Sequence, residues 1–263
     1  MQTVKSKDGT TIAFDKTGSG PAVISVAGAL QYRAFDQGSK QIADLLAPHF
    51  TVYNYDRRGR GDSGDTKPFA VQREIEDIEA LVDLAGGAAF VYGISSGAAL
   101  AFEAALALGS KVKKLVMYEA PYNDDPAARQ GWAAYRKELD KLVAEGRGGD
   151  AVILFMKLVG MPEEHVEGMR KNPMFPMFEA VGLTLAYDAA ELGDESAVPN
   201  EKAKRLTVPT LTLDGSDSYP FMHTAAVALA ELMPHAEQRT LQGQTHEVAP
   251  DALAPVLAEF FSS

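Results

Sequence analysis

Short runs of apolar residues alternate along the chain with longer stretches in which apolar residues recur every three or four positions. The short runs are rich in valine and tyrosine and are bounded by glycine, proline or aspartate, a pattern typical of β-strands. They lie at Val23–Ala27, Phe50–Asp56, Ala88–Gly93, Lys114–Ala120 and Thr210–Gly215, with a last strand at Glu237–Leu241. The pattern therefore predicts a sheet whose strands are far apart along the chain.

The stretches between these strands have the periodicity of amphipathic helices. Examples are the apolar series Val71, Ile75, Ile78, Val82, the series Leu100, Ala104, Leu108, and a final helix at Asp251–Phe260. Apolar strands separated by helices predict an α/β protein with a doubly wound, mostly parallel sheet covered on both faces. Two earlier strands, near Thr3–Lys5 and Thr11–Phe14, are short and more polar. We expect them to form an antiparallel edge.

The alternation stops between residues 121 and 206, where helix-period positions continue without a clear strand. We therefore predict an α/β core of residues 1–120 and 207–263, and a helical cap of residues 121–206 inserted after strand six, which we call the predicted cap. Its methionines and aromatic residues would either line an adaptable apolar pocket or fill the cap's own core. These residues are Phe155, Met156, Met161, Met169, Met174, Phe175, Met177 and Phe178.

Composition narrows the classes of chemistry. The chain has 263 residues, no cysteine and a formal net charge of -11, which excludes disulfides and thiolate sites and argues against nucleic acid or an anionic membrane as partner. No apolar run approaches the roughly 18 residues that cross a bilayer, and the N-terminus has no apolar signal region. We expect a cytoplasmic protein that uses no cofactor and no metal; the oligomeric state is left open.

The segment Gly93-Ile94-Ser95-Ser96-Gly97 directly follows a predicted strand and opens a predicted helix. This is the setting of a nucleophile elbow, a sharp turn on which the central serine is held in a strained backbone conformation. Ser95 would project its hydroxyl above the sheet, and the backbone N–H of Ser96 would face a developing oxyanion. Ser95 is therefore the candidate nucleophile.

A serine hydroxyl attacks only when a base takes its proton, and the chain has five histidines. His246 lies in the loop between the predicted last strand and the final helix, and sites collect in loops at the carboxyl ends of strands in such sheets. His246 is the candidate base. The other four, which we expect to be surface residues, are His49, His165, His223 and His235.

With a serine elbow followed by a histidine near the chain end, the sequence resembles the α/β-hydrolase fold proteins across nearly its full length. Tyr55–Ser63, YDRRGRGDS, is similar to the D-x-R-G-x-G-x-S segment that follows strand four in that family, and GQTH resembles the approach to its histidine. The resemblance implies a Ser-His-acid triad. It also implies a second oxyanion-hole N–H from Ala29, in a segment where Ala27 stands in place of the family's common histidine.

The acid is open between two carboxylates. The family usually places it after strand seven in a G-x-x-D pattern, where this chain has Ser218, with Asp217 one residue early. Some members resemble this chain in another way, holding the acid after strand six, where Glu119 lies. Either carboxylate would orient the imidazole and stabilise the imidazolium. We take Glu119 as the first candidate and Asp217 as the alternative.

A dense charged cluster lies in the segment YDRRGRGDS. It comprises Asp56, Arg57, Arg58, Arg60 and Asp62. We interpret the cluster as structural, a tight glycine-rich loop held by its own ion pairs, in preference to a substrate contact.

These features favour a serine hydrolase that cleaves a carboxylic ester, lactone or related acyl compound with a small, largely hydrophobic acyl part. Two alternatives remain. The same site would also serve C–C bond hydrolysis, lyase chemistry or cofactor-free perhydrolysis, which the fold supports. A non-catalytic ligand-binding member of the fold is the other.

Overall fold

The computed structural model describes residues 1–263, leaving out the side chain of residue 167. Its strands form a single eight-stranded sheet in the order β1-β2-β4-β3-β5-β6-β7-β8. The strands are β1 (Gln2–Lys5), β2 (Thr11–Gly18), β3 (Ala22–Val26), β4 (Thr51–Tyr55), β5 (Ala89–Ile94), β6 (Val112–Tyr118), β7 (Thr210–Gly215) and β8 (Ala236–Leu241).

The sheet is antiparallel only at one edge, where β1 pairs with β2 and β2 with β4. From β4 through β3, β5, β6 and β7 to β8, every pairing is parallel. The predicted doubly wound, mostly parallel sheet is thus confirmed, with the antiparallel edge where the short polar strands predicted it.

Eleven α-helices accompany the sheet in the described chain. They are α1 (Gln37–Leu46), α2 (Val71–Leu84), α3 (Ser96–Leu108), α4 (Pro126–Ala144), α5 (Gly148–Leu158), α6 (Glu163–Met169), α7 (Phe175–Glu179), α8 (Leu185–Glu191), α9 (Asn200–Ala203), α10 (Pro220–Leu232) and α11 (Pro250–Ser262). Two short 3₁₀ turns lie at Gly109–Lys111 and Gly182–Thr184.

The two faces of the sheet bury two separate apolar cores. In β5, Val91 joins the core that contains residues of α2 and α3, whereas Phe90 and Tyr92 join the core that contains residues of α1 and α11. Side chains of successive strand residues point to opposite faces, so an almost wholly buried strand such as β5 serves both cores. This layering fixes the carboxyl ends of β5, β6 and β7 side by side.

The helices α4 to α9 all lie between β6 and β7, within the predicted cap, and the described residues there contain no strand. Helix α8 packs against α2 and α3 of the sheet layer and against α4. The division into a core and a predicted cap stays a prediction.

The methionine and aromatic residues of the predicted cap differ in exposure. Phe175 is buried and Met174 is exposed, and the rest are half-buried: Phe155, Met156, Met161, Met169, Met177 and Phe178. Of these, Phe155, Met156, Met169 and Phe178 pack against the core on the α2 and α3 side.

Among the described residues, no helix is both long and apolar enough to cross a membrane.

Candidate active site

Ser95 stands on a sharp turn between β5 and α3. Its φ of 56° and ψ of -130° are values that a residue with a side chain rarely adopts. The turn forms because the glycines on either side permit close approach: a Cβ on Gly93 would lie 2.3 Å from Gly97 O, and one on Gly97 would lie 2.4 Å from Val26 O. The Ser95 N–H donates to Tyr118 O at 2.9 Å, which ties the turn to the end of β6.

His246 lies in the loop between β8 and α11, and two contacts bring that loop over the end of the sheet. A Cβ on Gly215 would lie 2.2 Å from Gln244 O, so only glycine lets the loop pass this close to β7. The Tyr118 hydroxyl donates to Thr245 O at 2.5 Å. His246 is therefore held beside the ends of β6 and β7.

The Nδ1 of His246 lies 2.6 Å from Oε2 of Glu119, the residue that directly follows β6. The Glu119 side chain is fully buried, whereas the imidazole is 33% exposed. Gly215 N–H donates to the other carboxylate oxygen at 2.8 Å, and the Ser218 hydroxyl donates to Oε2 at 2.9 Å. A carboxylate that accepts from both groups is an acceptor for the histidine too, so Nδ1 carries the ring proton.

The tautomer leaves Nε2 of His246 as the nitrogen with a free lone pair. In the part of the chain that the structure describes, Nε2 makes no hydrogen bond, and none joins it to the Ser95 hydroxyl. In unliganded sites such a contact is often long and tightens only with substrate bound. The ring is thus oriented from one side and available on the other.

Asp217, the alternative acid, is exposed and does not contact His246. Its Oδ1 accepts from the Ser216 hydroxyl at 2.8 Å, and its N–H donates to Gln244 O at 2.9 Å. Ser218, which occupies the position where the resembled family usually has its acid, instead donates to Glu119. The structure therefore brings Glu119 and His246 together and leaves Asp217 apart.

The two predicted oxyanion-hole donors also lie beside the serine. A Cβ on Gly28 would come within 3.1 Å of Ser95 Cβ, so the segment that carries Ala29 packs directly against the turn. Across the described residues, the backbone N–H of Ala29 and that of Ser96 have no protein acceptor. Two free N–H groups at this position are what an oxyanion site requires.

The charged loop that follows β4 is buried, but the predicted ion pairs within the loop are wrong. Arg57, Arg58 and Arg60 are at most 1% exposed, and each pairs with carboxylates from outside the segment because a buried guanidinium needs several acceptors at fixed angles. The Arg58 guanidinium binds Asp77 at 2.7 Å and Asp8 at 3.0 Å. These contacts agree with the interpretation of the cluster as structural, in preference to a substrate contact.

Arg57 and Arg60 extend further, to the predicted cap and to the segment that carries Ala29. Both bind Asp188 of α8 at 2.7 Å, and Arg57 also binds Glu74 of α2 and Glu191 of α8. Arg60 donates to Gly28 O at 2.6 Å. The sequence pattern did not single out Asp188, Glu74 or Glu191, since partners on distant segments have no signature in spacing.

Two of these carboxyl groups, Glu74 and Glu191, have shifted pKa values. Burial raises the pKa of Glu191 well above its usual range, the facing Arg57 lowers it in part, and Glu74 raises it again. Burial also acts to raise the pKa of Glu74, but Arg57 outweighs this and brings it to about 2. Arg57 therefore faces two buried carboxyl groups whose pKa values are shifted in opposite directions.

An aromatic cluster begins three residues after Ala29. Tyr32 and Phe35 stack with ring centroids 5.8 Å apart, and Phe35 meets Phe178 of α7 edge to face at 4.9 Å. These contacts join the predicted cap to the chain a few residues after Ala29.

A cavity of about 650 Å³ opens elsewhere, between α2, α3 and the chain around α9. Its lining includes Gln72, Glu103, Tyr122 and Lys202, but not Ser95, Glu119 or His246. We take the serine as the centre of the candidate site, because a cavity without a nucleophile or base explains none of the geometry above.

Comparisons with known proteins agree with the fold. The model of the alpha/beta hydrolase family matches residues 23–257. The crystal structure of an alpha/beta hydrolase from Sphaerobacter thermophilus is similar at 50% sequence identity and a TM-score of 0.87, covering 99% of this chain and 100% of that one.

The structures of an esterase and an enol-lactonase are more distant. A thermophilic esterase from Thermogutta terrifontis has 21% identity and a TM-score of 0.74, with 99% of this chain and 97% of that chain covered. The enol-lactonase from Burkholderia xenovorans has 16% identity and a TM-score of 0.71, with both chains covered at 100%. At these identities the likeness is one of fold alone.

Proposed function

The chain belongs to the alpha/beta hydrolase family, and we propose that it is a serine hydrolase that cleaves a carboxylic ester, lactone or related acyl compound. The observation that carries the proposal is the His246–Glu119 pair, 2.6 Å apart, beside a strained serine. A buried carboxylate that fixes the tautomer of a half-exposed histidine serves the activation of a hydroxyl nucleophile.

In the first half of the reaction, Ser95 Oγ attacks the substrate carbonyl carbon while His246 Nε2 takes the hydroxyl proton. Glu119 stabilises the imidazolium that forms. The carbonyl oxygen becomes an oxyanion that accepts hydrogen bonds from the N–H groups of Ala29 and Ser96. The C–O bond to the leaving group then breaks, and His246 returns the proton to the departing alcohol oxygen.

In the second half, water replaces the alcohol. His246 takes a proton from the water as its oxygen attacks the acyl-enzyme carbonyl, and the same two N–H groups hold the second oxyanion. Collapse of this intermediate breaks the bond to Ser95 Oγ, which regains the proton from His246. The products are a carboxylic acid and the free enzyme, so the cycle needs no cofactor.

A small or medium, largely hydrophobic acyl group is the proposed substrate feature. Tyr32, Phe35 and Phe178 form an aromatic cluster that begins three residues after Ala29, and half-buried methionines of the predicted cap such as Met156 would supply adaptable apolar contacts. The acidic net charge also disfavours a strongly anionic substrate.

The proposal is tested with a fluorophosphonate, which modifies only an activated serine. We expect stoichiometric labelling that peptide mapping places on Ser95, with none in the Ser95→Ala variant. Hydrolysis of a p-nitrophenyl butyrate probe should disappear in the same variant. A folded wild-type protein that neither labels nor hydrolyses esters would contradict the proposal and favour a ligand-binding role.

A further inference from the structure

Asp188 belongs to the predicted cap, yet its carboxylate contacts groups on both sides of the proposed oxyanion hole. Oδ1 accepts from the Ser96 hydroxyl and from Arg57 Nη1, each at 2.7 Å, and Oδ2 accepts from Arg60 Nη2 at 2.7 Å. The side chain is 6% exposed. Such a carboxylate has little access to bulk water, and its partners fix its orientation.

The contact through Arg60 determines the direction of one oxyanion donor. Arg60 Nη1 donates to Gly28 O at 2.6 Å, and the Gly28 carbonyl belongs to the same planar peptide group as the Ala29 N–H. In a trans peptide the C=O and N–H point in opposite directions. Holding the carbonyl toward Arg60 therefore directs the Ala29 N–H the other way, and the charge of the guanidinium polarises the peptide and strengthens that donor.

The contact through Ser96 restrains the other donor. The Ser96 hydroxyl is bonded to Asp188, and the backbone N–H of the same residue is the first of α3. With the side chain anchored and the residue 2% exposed, the N–H has little freedom to turn. One carboxylate thus restrains the two peptide groups that would bind the oxyanion.

Arg57 supports the backbone at Ala27, the residue that stands where the resembled family commonly has a histidine. Its Nη1 donates to Ala27 O at 3.2 Å as well as to Asp188. The carbonyls of Ala27 and Gly28 both accept hydrogen bonds from guanidinium groups. The segment is therefore held by its backbone, although Ala27 has no side chain that could form a hydrogen bond.

Asp188 is not the sole counter-charge in this group. Arg57 also pairs with Glu74 and Glu191. An Asp188→Asn variant therefore keeps the shape of the side chain and leaves Arg57 with two carboxyl partners.

We infer that Asp188 is a positioning residue, by which the predicted cap holds the Ala29 and Ser96 N–H groups in place for the oxyanion. The inference rests on the proposed function. It assigns to a helix outside the sheet a part in the chemical step, separate from any contact with substrate.

The test compares Asp188→Asn with Asp77→Asn, a matched control. Asp77 is another fully buried carboxylate bonded to an arginine of the same loop, Arg58, and it is not bonded to Ser96 or to Arg60. For Asp188→Asn we expect kcat on p-nitrophenyl butyrate to fall about 10- to 100-fold with KM changed less than about threefold, since the lost interaction acts in the transition state. Asp77→Asn should lose thermal stability but keep kcat within about twofold.

Inhibitor affinity separates positioning from general damage. A trifluoromethyl ketone forms a tetrahedral adduct with the serine and places its oxygen in the hole, so its inhibition constant should rise in proportion to the loss of kcat/KM. The affinity for butyrate, which makes no such adduct, should stay unchanged. An unchanged ketone affinity in Asp188→Asn, or an equal loss of kcat in Asp77→Asn, would overturn the inference.

If Asp188→Asn does not fold, Ser96→Ala decides. It removes only the hydroxyl that Asp188 holds, and we expect kcat to fall about three- to tenfold with weaker ketone binding; unchanged kcat would overturn the inference. Wild-type protein that fails to label at Ser95 would mean that the proposed function itself is wrong, and the inference would fall with it. If the wild type is active and Asp188→Asn is equally active, the inference is overturned but the proposed function stands.

Discussion

The protein buries two clusters of charged side chains, of which one is accessible to solvent at one end and the other is not. In the first, Glu119 is fully buried but bonded to a histidine that is one-third exposed, so one end of the pair is accessible. In the second, Arg57, Arg60, Asp188, Glu74 and Glu191 are all within the interior. The first group ends in a ring nitrogen, His246 Nε2, that has no protein partner among the described residues. The second group, which we call the closed group, has no comparable accessible atom.

This difference shows what each group is suited to do. In the accessible pair, His246 Nε2 can accept and donate a proton, while the buried Glu119 keeps the ring oriented. A closed set of charges holds backbone in place but takes no part in proton transfer. Substitutions in the first group should therefore change turnover more than stability. Substitutions in the second should lower stability, and at Asp188 they should also lower turnover through the Ala29 and Ser96 N–H groups.

The largest effect is expected for Glu119→Gln. The amide keeps the shape of the side chain but supplies no charge for the imidazolium and does not select the same tautomer. We expect kcat to fall about 10³- to 10⁴-fold on p-nitrophenyl butyrate, with the unfolding free energy lowered by only about 1 kcal/mol. Steady-state kinetics and urea unfolding on the same preparation measure both. A loss of less than tenfold would show that Glu119 is not the acid.

Arg57→Met should mainly lower stability. The substitution leaves Asp188 and Glu74 in the interior without their shared cation, and breaking a buried ion pair from one side costs about 3–5 kcal/mol. Chemical denaturation should report a loss of this size. A variant as stable as the wild type would mean that the closed group is not needed to hold the fold.

The proton on Glu191 makes the closed group sensitive to pH. Because folding raises the pKa of Glu191 above its ordinary value of 4.5, the folded state keeps a proton that the unfolded chain releases. Its contribution to stability is fully present below about pH 4.5 and is lost as pH rises toward the folded pKa. Glu191→Gln removes this dependence.

The stability of Glu191→Gln relative to wild type should therefore increase with pH, by up to about 1.4 kcal/mol for each unit above pH 5. Urea unfolding of both proteins at pH 5, 6, 7 and 8 measures this difference. Parallel curves for the two proteins would mean that Glu191 is charged in the fold. Glu74, with a pKa of about 2, acts below this range and does not interfere.

Asp217→Asn should have the smallest effect. The side chain is exposed and bonded to Ser216, so we expect kcat within about threefold of wild type and stability within about 0.5 kcal/mol. This variant is the matched control for Glu119→Gln. A loss of activity as large as that of Glu119→Gln would return Asp217 to the candidate acids.

The sequence pattern predicted the sheet well because strand burial is a local property. The predicted strand Thr210–Gly215 coincides with β7, and most others differ by one or two residues at their ends. The second strand is longer than expected, reaching Gly18 instead of Phe14, because it pairs with both β1 and β4. Long-range pairing is not encoded in the residues of one strand.

The site was predicted only where local geometry determines it. Ser95 could be located because a strand, a glycine-flanked turn and a helix follow one another in sequence. The choice between Glu119 and Asp217 depended on backbone that the sequence does not reveal, including a φ of 47° at Glu119. Asp188 lies 131 residues from Arg57, and no periodicity connects two residues so far apart.

The most direct test of the central claim is to trap the acyl-enzyme. Wild-type protein and Glu119→Gln are mixed with p-nitrophenyl butyrate, quenched in acid at short times, and examined by peptide mass spectrometry. We expect a single butyryl group on Ser95 in wild type, formed about 10³- to 10⁴-fold more slowly in the variant. Ester hydrolysis without acylation of Ser95, or acylation at an equal rate in Glu119→Gln, would contradict activation of Ser95 by the His246–Glu119 pair.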